Sequence, residues 1–178
     1  KNNEYKLQRM AHYDPLTQLP NRSLLSDRLQ QAMALATRHD QLVAVCYLDV
    51  DGFKAVNDNY GHDVGDQLLI KLAARLRECL RASDTLARIG GDEFVAVLTG
   101  FTDTASSIST FERLIQTASQ PIHSGDIEIR VSASLGIAFF PQEVSADADQ
   151  LLRQADQAMY QAKSSGKNRF RVFSERVM

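Results

Sequence analysis

The strongest constraint on the fold is a continuous apolar run, LVAVCYL, at residues 42–48, which stops abruptly at Asp49-Val50-Asp51-Gly52. A short apolar run bounded by turn residues is typical of a buried strand. Asp49 and Asp51 are two residues apart, so both side chains project to one face if the strand geometry continues. The sequence therefore predicts a buried strand that carries two carboxylates at its end.

Helical and strand patterns alternate along the rest of the chain. Apolar residues at steps of three and four predict helices over residues 23–38, 64–81, 104–120 and 146–163. Further apolar runs predict strands over residues 85–89, 94–98, 127–140 and 169–173. Asp63 is a candidate cap of the second helix, and Gly90 and Gly91 allow the positive φ of a hairpin loop. We therefore predict an α/β (α+β) domain in which helices cover a mixed sheet.

The composition fits one globular domain of 178 residues that needs neither disulfides nor a metal to fold. Lys and Arg number 20 and Asp and Glu 22, which gives 20 − 22 = −2. This balance argues against binding to nucleic acid or an anionic membrane, because both draw affinity from many basic side chains on one face. Cys46 and Cys79 lack the paired spacing of zinc sites and favour buried thiols in a reducing compartment.

The N-terminal residues lack the apolar segment of a secretory signal, and no run approaches 18 apolar residues. We therefore expect a cytoplasmic domain, which leaves open that a longer protein is anchored in a membrane. Because the chain starts at Lys1 without Met, we interpret it as a piece of such a protein. Residues 1–13 are predicted to end a connector helix, and residues 174–178 to form a tail or linker.

A second acidic segment lies in the hairpin loop, where Asp92 and Glu93 follow the two glycines. If the hairpin neighbours the first strand, four carboxylates gather at one sheet edge, which is costly unless a cation neutralises them. Mg²⁺ fits, with Mn²⁺ as an alternative, because it takes one or two carboxylates and completes its shell with water and phosphate oxygens. Solvated turn acids explain the same spacing equally well, so both interpretations stay open on spacing alone.

Several separated motifs together resemble one family. RIGGDEF at residues 88–94 resembles the signature of GGDEF diguanylate cyclases. The stretches in register with it lie at residues 14–22, 49–58, 60–66, 134–138 and 155–169. The resemblance covers residues 14–173 and implies a fold like the palm of nucleotide cyclases and polymerases, with a mixed, mainly antiparallel sheet flanked by helices.

The resemblance also implies a reaction. Two GTP molecules condense to cyclic di-GMP, each 3′-hydroxyl attacking the α-phosphate of the other with loss of pyrophosphate. Because one domain holds one GTP, the family pattern implies a homodimer. It also implies sensor or phosphodiesterase domains elsewhere in the full-length chain.

The same register assigns metal and catalytic residues. Asp49 and Asp92, with the carbonyl of Val50, correspond to the metal ligands. Asp92 is a candidate acceptor of the 3′-hydroxyl proton, and Glu93 either assists it or binds a second metal, so their separate roles stay open. For Asp51 we favour a structural hydrogen bond at the strand end.

Substrate contacts follow by position in the family motifs. Asn57 and Asp66 correspond to the guanine readers, since a carboxylate accepts from N1–H and the 2-amino group, an arrangement that adenine lacks. Phe53 and the loop glycines Gly90 and Gly91 are candidates for contact with the nucleotide. The candidates for binding its phosphates are Lys54, Lys163 and Lys167, and Lys54 is also a catalytic candidate. A solvated lysine near a helix end is the other interpretation of Lys163 and Lys167.

Arg81 and Asp84 have the spacing of the family's R-x-x-D inhibitory site, which implies product binding away from the active site. Without the resemblance they are a helix-ending Arg and a loop Asp. Gln18 stands where the N-terminal motif of the family usually has Gly. The main alternative function is a GGDEF module that binds GTP or cyclic di-GMP without turnover and regulates an attached domain.

Overall fold

The computed structural model of the protein describes residues 2–174. Its helices are α1 Asn2–His12, α2 Arg22–His39, α3 Phe53–Tyr60, α4 His62–Glu78, α5 Ile108–Ala118 and α6 Ala148–Ser164, with a 3₁₀ turn at Ala105–Ser107. Its strands are β1 Leu42–Asp51, β2 Thr85–Gly90, β3 Glu93–Phe101, β4 Ile122–Ser124, β5 Ile127–Ile129, β6 Ser132–Phe140 and β7 Phe170–Val172.

Five strands form one sheet in the order β2-β3-β1-β6-β7. All neighbours are antiparallel except β6 and β7, which run parallel. A separate hairpin joins β4 to β5. The predicted fold class, a mixed and mainly antiparallel sheet with helices around it, is therefore confirmed.

The central strand β1 separates two apolar cores, because its side chains alternate between the faces of the sheet. Ala44, Cys46 and Leu48 face the core built with α4 and α5. Val43, Val45 and Tyr47 face the core built with α2 and α6. Coverage on both faces explains why the run at residues 42–48 is apolar throughout.

The segment after β1 differs from the prediction. A helix of eight residues, α3, lies between Gly52 and Gly61, which adopt φ of 85° and 91°. The sequence did not indicate it because Val56 is its one buried residue, too few to show a helical period. α4 starts at His62 rather than at residue 64 and ends at Glu78. The predicted cap Asp63 is wrong, because Gly61 occupies the N-cap and Asp63 lies in the first turn.

Three later predictions also differ from the structure. The long strand predicted over residues 127–140 is divided into β5 and β6, and β5 pairs with β4, which the sequence did not indicate. The helix predicted from residue 104 begins as a 3₁₀ turn before α5. α6 starts at Ala148 rather than at residue 146, behind a capping box in which Asp147 and Gln150 exchange hydrogen bonds.

The predictions for the chain ends and cysteines have mixed outcomes. α1 confirms helix at residues 2–12, whereas its role as a connector stays a prediction. The predicted tail reaches beyond the described part, which ends at residue 174. Cys46 is buried, which raises the pKa of its thiol, but Cys79 is only half-buried. No helix within residues 2–174 is long and apolar enough to cross a bilayer.

Candidate active site

The hairpin between β2 and β3 places its acids beside the end of β1. Asp49 pairs with Glu93 in the β1–β3 register, and the Val50 amide donates to the Asp92 carbonyl at 3.2 Å. Gly91, with φ of 49°, supplies the left-handed residue of this tight loop. The hairpin therefore brings Asp92 and Glu93 beside Asp49 at one edge of the sheet, whereas the expected gathering of all four carboxylates stays a prediction.

Asp49 carries a poorly compensated carboxylate. Its Oδ1 is buried and accepts no hydrogen bond within residues 2–174. Burial, followed by the negative charge of Asp92, raises the pKa of Asp49 to about 7, against the opposing attraction of Lys163. A divalent cation would stabilise the ionised form, so this donor set fits a metal of the Mg²⁺ class.

The described residues bring together no group of three His, Cys, Asp or Glu side chains able to hold a metal. The protein would therefore supply few ligands, such as Asp49, Asp92 and the Val50 carbonyl. Water and substrate phosphates would complete the shell, as Mg²⁺ prefers.

Asp51 is a structural anchor, as favoured from the sequence. Its buried carboxylate accepts hydrogen bonds from Ser132 Oγ at 2.7 Å, Ser134 Oγ at 2.8 Å, Lys163 Nζ at 3.1 Å and the Asn168 amide at 3.1 Å. Burial opposes ionisation, but these hydrogen bonds outweigh it and hold the pKa of Asp51 below its ordinary value. Asp51 thus ties β1 to β6 and to the loop after α6.

Of the three candidate phosphate lysines, Lys163 lies at the acids. It extends from the last turn of α6, and its Nζ is 3.5 Å from Asp49 Oδ1 as well as bonded to Asp51. Burial lowers the pKa of Lys163, but the two carboxylates raise it further, so the net pKa is above its ordinary value. Lys54, in α3, and Lys167, in the loop after α6, are exposed.

Glu93 is held by a residue that the sequence analysis missed. The Tyr47 hydroxyl donates to Glu93 Oε2 at 2.7 Å, and burial together with this carboxylate raises the pKa of Tyr47. Asp156 of α6 faces the same carboxylate, and its pKa is raised by burial and by the charge of Glu93. Tyr47 precedes Asp49 by two residues, so the period of a strand was the signal that could have placed it on this face.

The candidate base readers lie where α3 meets α4. Asn57 Oδ1 is buried and accepts no hydrogen bond in the described part of the chain. Gly65 permits this position, because a Cβ at residue 65 would lie 1.8 Å from Asn57 Oδ1 and 3.4 Å from Phe53 Cζ. Asp66 follows as an exposed residue of α4. A buried amide oxygen of this kind suits an amino group of a ligand.

An ion pair links the N-terminal turn to the hairpin between β2 and β3. Arg88 Nη1 donates to both carboxylate oxygens of Asp14, at 2.9 and 3.1 Å, and Arg88 Nε donates to the Gly91 carbonyl at 2.9 Å. Thr17 donates to Asp14 at 2.7 Å through its hydroxyl. Gln18 adopts φ of 63°, which explains why a glycine suits its position in the resembled motif.

The candidate product site lies at the other end of β2. Asp84 is buried and accepts from the Arg81 amide at 2.9 Å and the Thr99 amide at 3.1 Å. The exposed Arg81 guanidinium donates to the Thr99 carbonyl and lies over the ring of Phe101 at 5.4 Å. The Asp84 carboxylate thus accepts hydrogen bonds from the backbone of its own fold, whereas the Arg81 guanidinium is accessible. Product binding at these two residues stays a prediction.

Comparison with known proteins gives consistent matches. The model of the family described as diguanylate cyclase, GGDEF domain, matches residues 11–169. The bifunctional diguanylate cyclase/cyclic di-GMP phosphodiesterase MucR of Pseudomonas aeruginosa is 47% identical over 94% of this chain, and the match covers 24% of MucR. The cyclic di-GMP phosphodiesterase PdeR of Escherichia coli is 40% identical over 95% of this chain, and the match covers 25% of PdeR. The chain thus spans about a quarter of the length of these relatives.

A solved structure agrees with the fold. The isolated GGDEF domain of TpbB from Pseudomonas aeruginosa superposes with a TM-score of 0.87 at 38% identity. The match covers 92% of this chain and 95% of that one.

Proposed function

The chain belongs to the GGDEF family of diguanylate cyclase domains, and from this premise we propose that it condenses two GTP molecules into cyclic di-GMP with release of pyrophosphate. The observation that carries the proposal is the buried Asp49 Oδ1 beside the Asp92 loop, which accepts no hydrogen bond in the described residues and has the Lys163 ammonium as an ion-pair partner. A carboxylate in this state suits a bound cation. The relative MucR, which bears the name of a bifunctional cyclase and phosphodiesterase, supports the same activity here.

Substrate binding divides between two regions. Asn57 and Asp66 read guanine, with Phe53 beside them, while Lys54, Lys163 and Lys167 bind the phosphates. Gly90 and Gly91 let the loop backbone approach the nucleotide without a Cβ in the way. Mg²⁺, or Mn²⁺, held by Asp49, Asp92 and the Val50 carbonyl, neutralises charge on the triphosphate when bound.

The chemical step joins two nucleotides. The 3′-oxygen of one GTP forms a bond to the α-phosphorus of the other, the bond to the pyrophosphate oxygen breaks, and pyrophosphate leaves with the electron pair. Asp92 or Glu93 accepts the hydroxyl proton, and Tyr47 holds Glu93 in place by its hydrogen bond. Because each domain holds one GTP, the step requires two copies that face each other.

Product acts at a second site. Cyclic di-GMP binds through the exposed guanidinium of Arg81, with Asp84 at the base of that turn, and slows the enzyme from there. Sensor or phosphodiesterase domains occupy the rest of the full-length protein, a proposal that the bifunctional name of MucR supports. The reaction takes place in the cytoplasm, where we expect this domain.

A GGDEF module without turnover is the second candidate. The name of PdeR, a phosphodiesterase that matches 95% of this chain, favours it, because it mentions no cyclase. Such a domain would bind GTP or cyclic di-GMP and regulate an attached domain.

Incubation with GTP and Mg²⁺, followed by chromatography of the products, separates the two candidates. We expect cyclic di-GMP and two equivalents of pyrophosphate, and we expect Asp92→Asn to abolish both while the thermal melt stays that of a folded protein. GTP binding without product formation by the wild-type protein would contradict the cyclase and leave the binding module.

A further inference from the structure

We infer that Lys163 takes the place of the cation beside Asp49 when no nucleotide is bound, and gives it up when GTP and the metal arrive together. Metal binding would then depend on nucleotide binding. This inference rests on the proposed function, in which Asp49 holds the cation and Lys163 holds a phosphate.

The geometry places one ammonium group between two carboxylates. Lys163 Nζ is 3.1 Å from Asp51 Oδ1 and 3.5 Å from Asp49 Oδ1. The Lys163 side chain is 25% exposed, so bulk water screens these charges only in part. Lys163 thus supplies the positive charge that stabilises ionised Asp49 in the nucleotide-free protein.

The two carboxylates are not equivalent partners. Asp51 makes a hydrogen bond to Lys163 and accepts three more from Ser132, Ser134 and the Asn168 amide. Asp49 Oδ1 receives the ammonium only as an ion pair, without hydrogen-bond geometry, among the residues described. Asp51 therefore acts as a positioning residue that keeps Lys163 near, while Asp49 stays ready to change partner.

A divalent cation and the ammonium cannot both use Asp49 Oδ1 without strong repulsion, because their charges would lie within a few ångströms in a half-buried site. Binding of the metal alone must therefore break the ion pair between Lys163 and Asp49, while the hydrogen bond to Asp51 keeps the ammonium close to the metal. The triphosphate relieves this repulsion, since its oxygens accept from a lysine ammonium. The lysine lies near the end of α6 on a four-carbon stem, so it can reach from the acids to a phosphate by rotation of its side chain.

Coupling of this kind is reciprocal: if GTP tightens metal binding, the metal tightens GTP binding by the same factor. Removal of the ammonium should therefore strengthen binding of the metal alone and weaken the coupling. Lys167 offers a matched control, because it is an exposed lysine of the adjacent loop that shares the candidate phosphate role. Within the described residues, Lys167 forms no salt bridge with Asp49 or Asp51.

The experiment titrates Mn²⁺ into the nucleotide-free protein by calorimetry, with electron paramagnetic resonance to count bound ions. We expect Lys163→Met to bind Mn²⁺ about tenfold more tightly than the wild-type protein, in the usual range of such couplings. Lys167→Met should bind Mn²⁺ alone as the wild-type protein does. With a GTP analogue that has a methylene group between the α- and β-phosphates, Mn²⁺ affinity should rise in the wild-type protein and rise much less in Lys163→Met.

Equal Mn²⁺ affinities of Lys163→Met and wild-type protein would overturn the inference, and so would an equal gain in Lys167→Met, which would indicate a general charge effect. If Lys163→Met does not fold, Lys163→Gln takes its place, and the wild-type titration with and without the analogue still decides the coupling. None of these measurements requires turnover. A wild-type protein that makes no cyclic di-GMP would therefore contradict the proposed function. The exchange of Lys163 for the metal at Asp49 would still be decided by the Mn²⁺ titrations.

Discussion

Two buried side-chain oxygens, Asp49 Oδ1 and Asn57 Oδ1, accept no hydrogen bond anywhere in residues 2–174. Leaving a buried acceptor without a partner costs about 1–3 kcal/mol. Both oxygens lie in the candidate site, one in the acidic cluster and one between α3 and α4. Their positions indicate a ligand that brings a cation to one and a hydrogen-bond donor to the other.

Gly65 controls the position of Asn57, so Gly65→Ala should impair nucleotide binding. The new Cβ would lie 1.8 Å from Asn57 Oδ1 and must displace the amide. We expect the KM for GTP to rise about tenfold, equivalent to loss of one buried hydrogen bond, while turnover at saturating GTP falls less. Steady-state kinetics measure this split.

A double-mutant cycle tests the route of this effect. If Gly65→Ala acts through Asn57, it should add little to the loss already caused by Asn57→Ala. Full additivity of the two changes in free energy would show that Gly65 matters for another reason, such as the packing of α4.

The raised pKa of Asp49 predicts an unusual pH dependence of stability. A carboxyl with a folded-state pKa near 7 binds a proton in the folded protein between about pH 4 and pH 7, whereas the unfolded chain does not. Ionisation of Asp49 therefore lowers the free energy of unfolding as the pH rises through this window. Asp49→Asn removes the effect and should stabilise the metal-free protein by roughly 1–3 kcal/mol at pH 8.

Chemical denaturation in EDTA at pH 4.5 and pH 8 measures the difference between wild-type and variant. The gap should be largest at pH 8 and nearly vanish at pH 4.5. Asp14 and Asp51, whose pKa values are lowered, stay largely ionised at both pH 4.5 and pH 8, so their titration contributes little to the comparison. A gap that is constant with pH would contradict the assignment.

At the scale of elements, the sequence predicts the helices and strands that depend on a local pattern of residues. The apolar run of β1 and the carboxylates at its end were predicted because burial on both faces and the period of the strand are properties of consecutive residues. α3 was missed because it buries only Val56. The contact of Lys163 with Asp49 could not be predicted, because it joins α6 to β1 across 114 residues of sequence and depends on how closely that helix packs.

Gly136 sets that packing distance. A Cβ at residue 136 of β6 would lie 2.0 Å from the Ala155 carbonyl and 2.1 Å from the Met159 amide, so the backbone of α6 rests on this strand. The same helix carries Lys163 toward the acids. The absence of a side chain at Gly136 lets α6 pack closely on β6 and thus contributes to the geometry of the candidate site.

Gly136→Ala should therefore destabilise the fold, although alanine is ordinarily the better strand residue. Overpacking of this kind costs typically about 1–3 kcal/mol, against a gain of about 0.5–1 kcal/mol from the lost flexibility of glycine. Denaturant titration gives the sign directly. A gain in stability would mean that α6 moves away from β6 without penalty.

At the scale of the whole molecule, β2 separates two candidate sites. The hairpin loop with Asp92 lies at its Gly90 end and the Arg81–Asp84 turn at its Thr85 end, about 20 Å apart for six extended residues. Product at Arg81 would therefore not touch the acids of the same domain. If two domains carry out the proposed condensation together, inhibition would have to act on how these domains meet.

This arrangement decides which residue tests the regulatory site. Asp84→Ala would leave the amides of Arg81 and Thr99 without their acceptor, so a loss of inhibition could reflect a distorted turn. Arg81→Ala removes an exposed guanidinium whose surface contacts contribute little to stability. Arg153→Ala, which removes an exposed arginine of α6, is the matched control for loss of one positive charge, whereas Arg77 donates to the Arg81 carbonyl and belongs to the same turn.

We expect Arg81→Ala to raise the cyclic di-GMP concentration needed for half inhibition by about tenfold or more, as loss of a charge-assisted hydrogen bond implies. Arg153→Ala should keep the wild-type sensitivity. Inhibition in the wild-type protein should be noncompetitive with GTP, because product occupies a surface away from Asp49 and Asp92. Initial rates at several GTP and product concentrations measure both properties. An unchanged half-inhibition in Arg81→Ala, or inhibition that excess GTP overcomes, would show that product acts at the active site and that Arg81 serves only to hold its turn to Thr99 and Phe101.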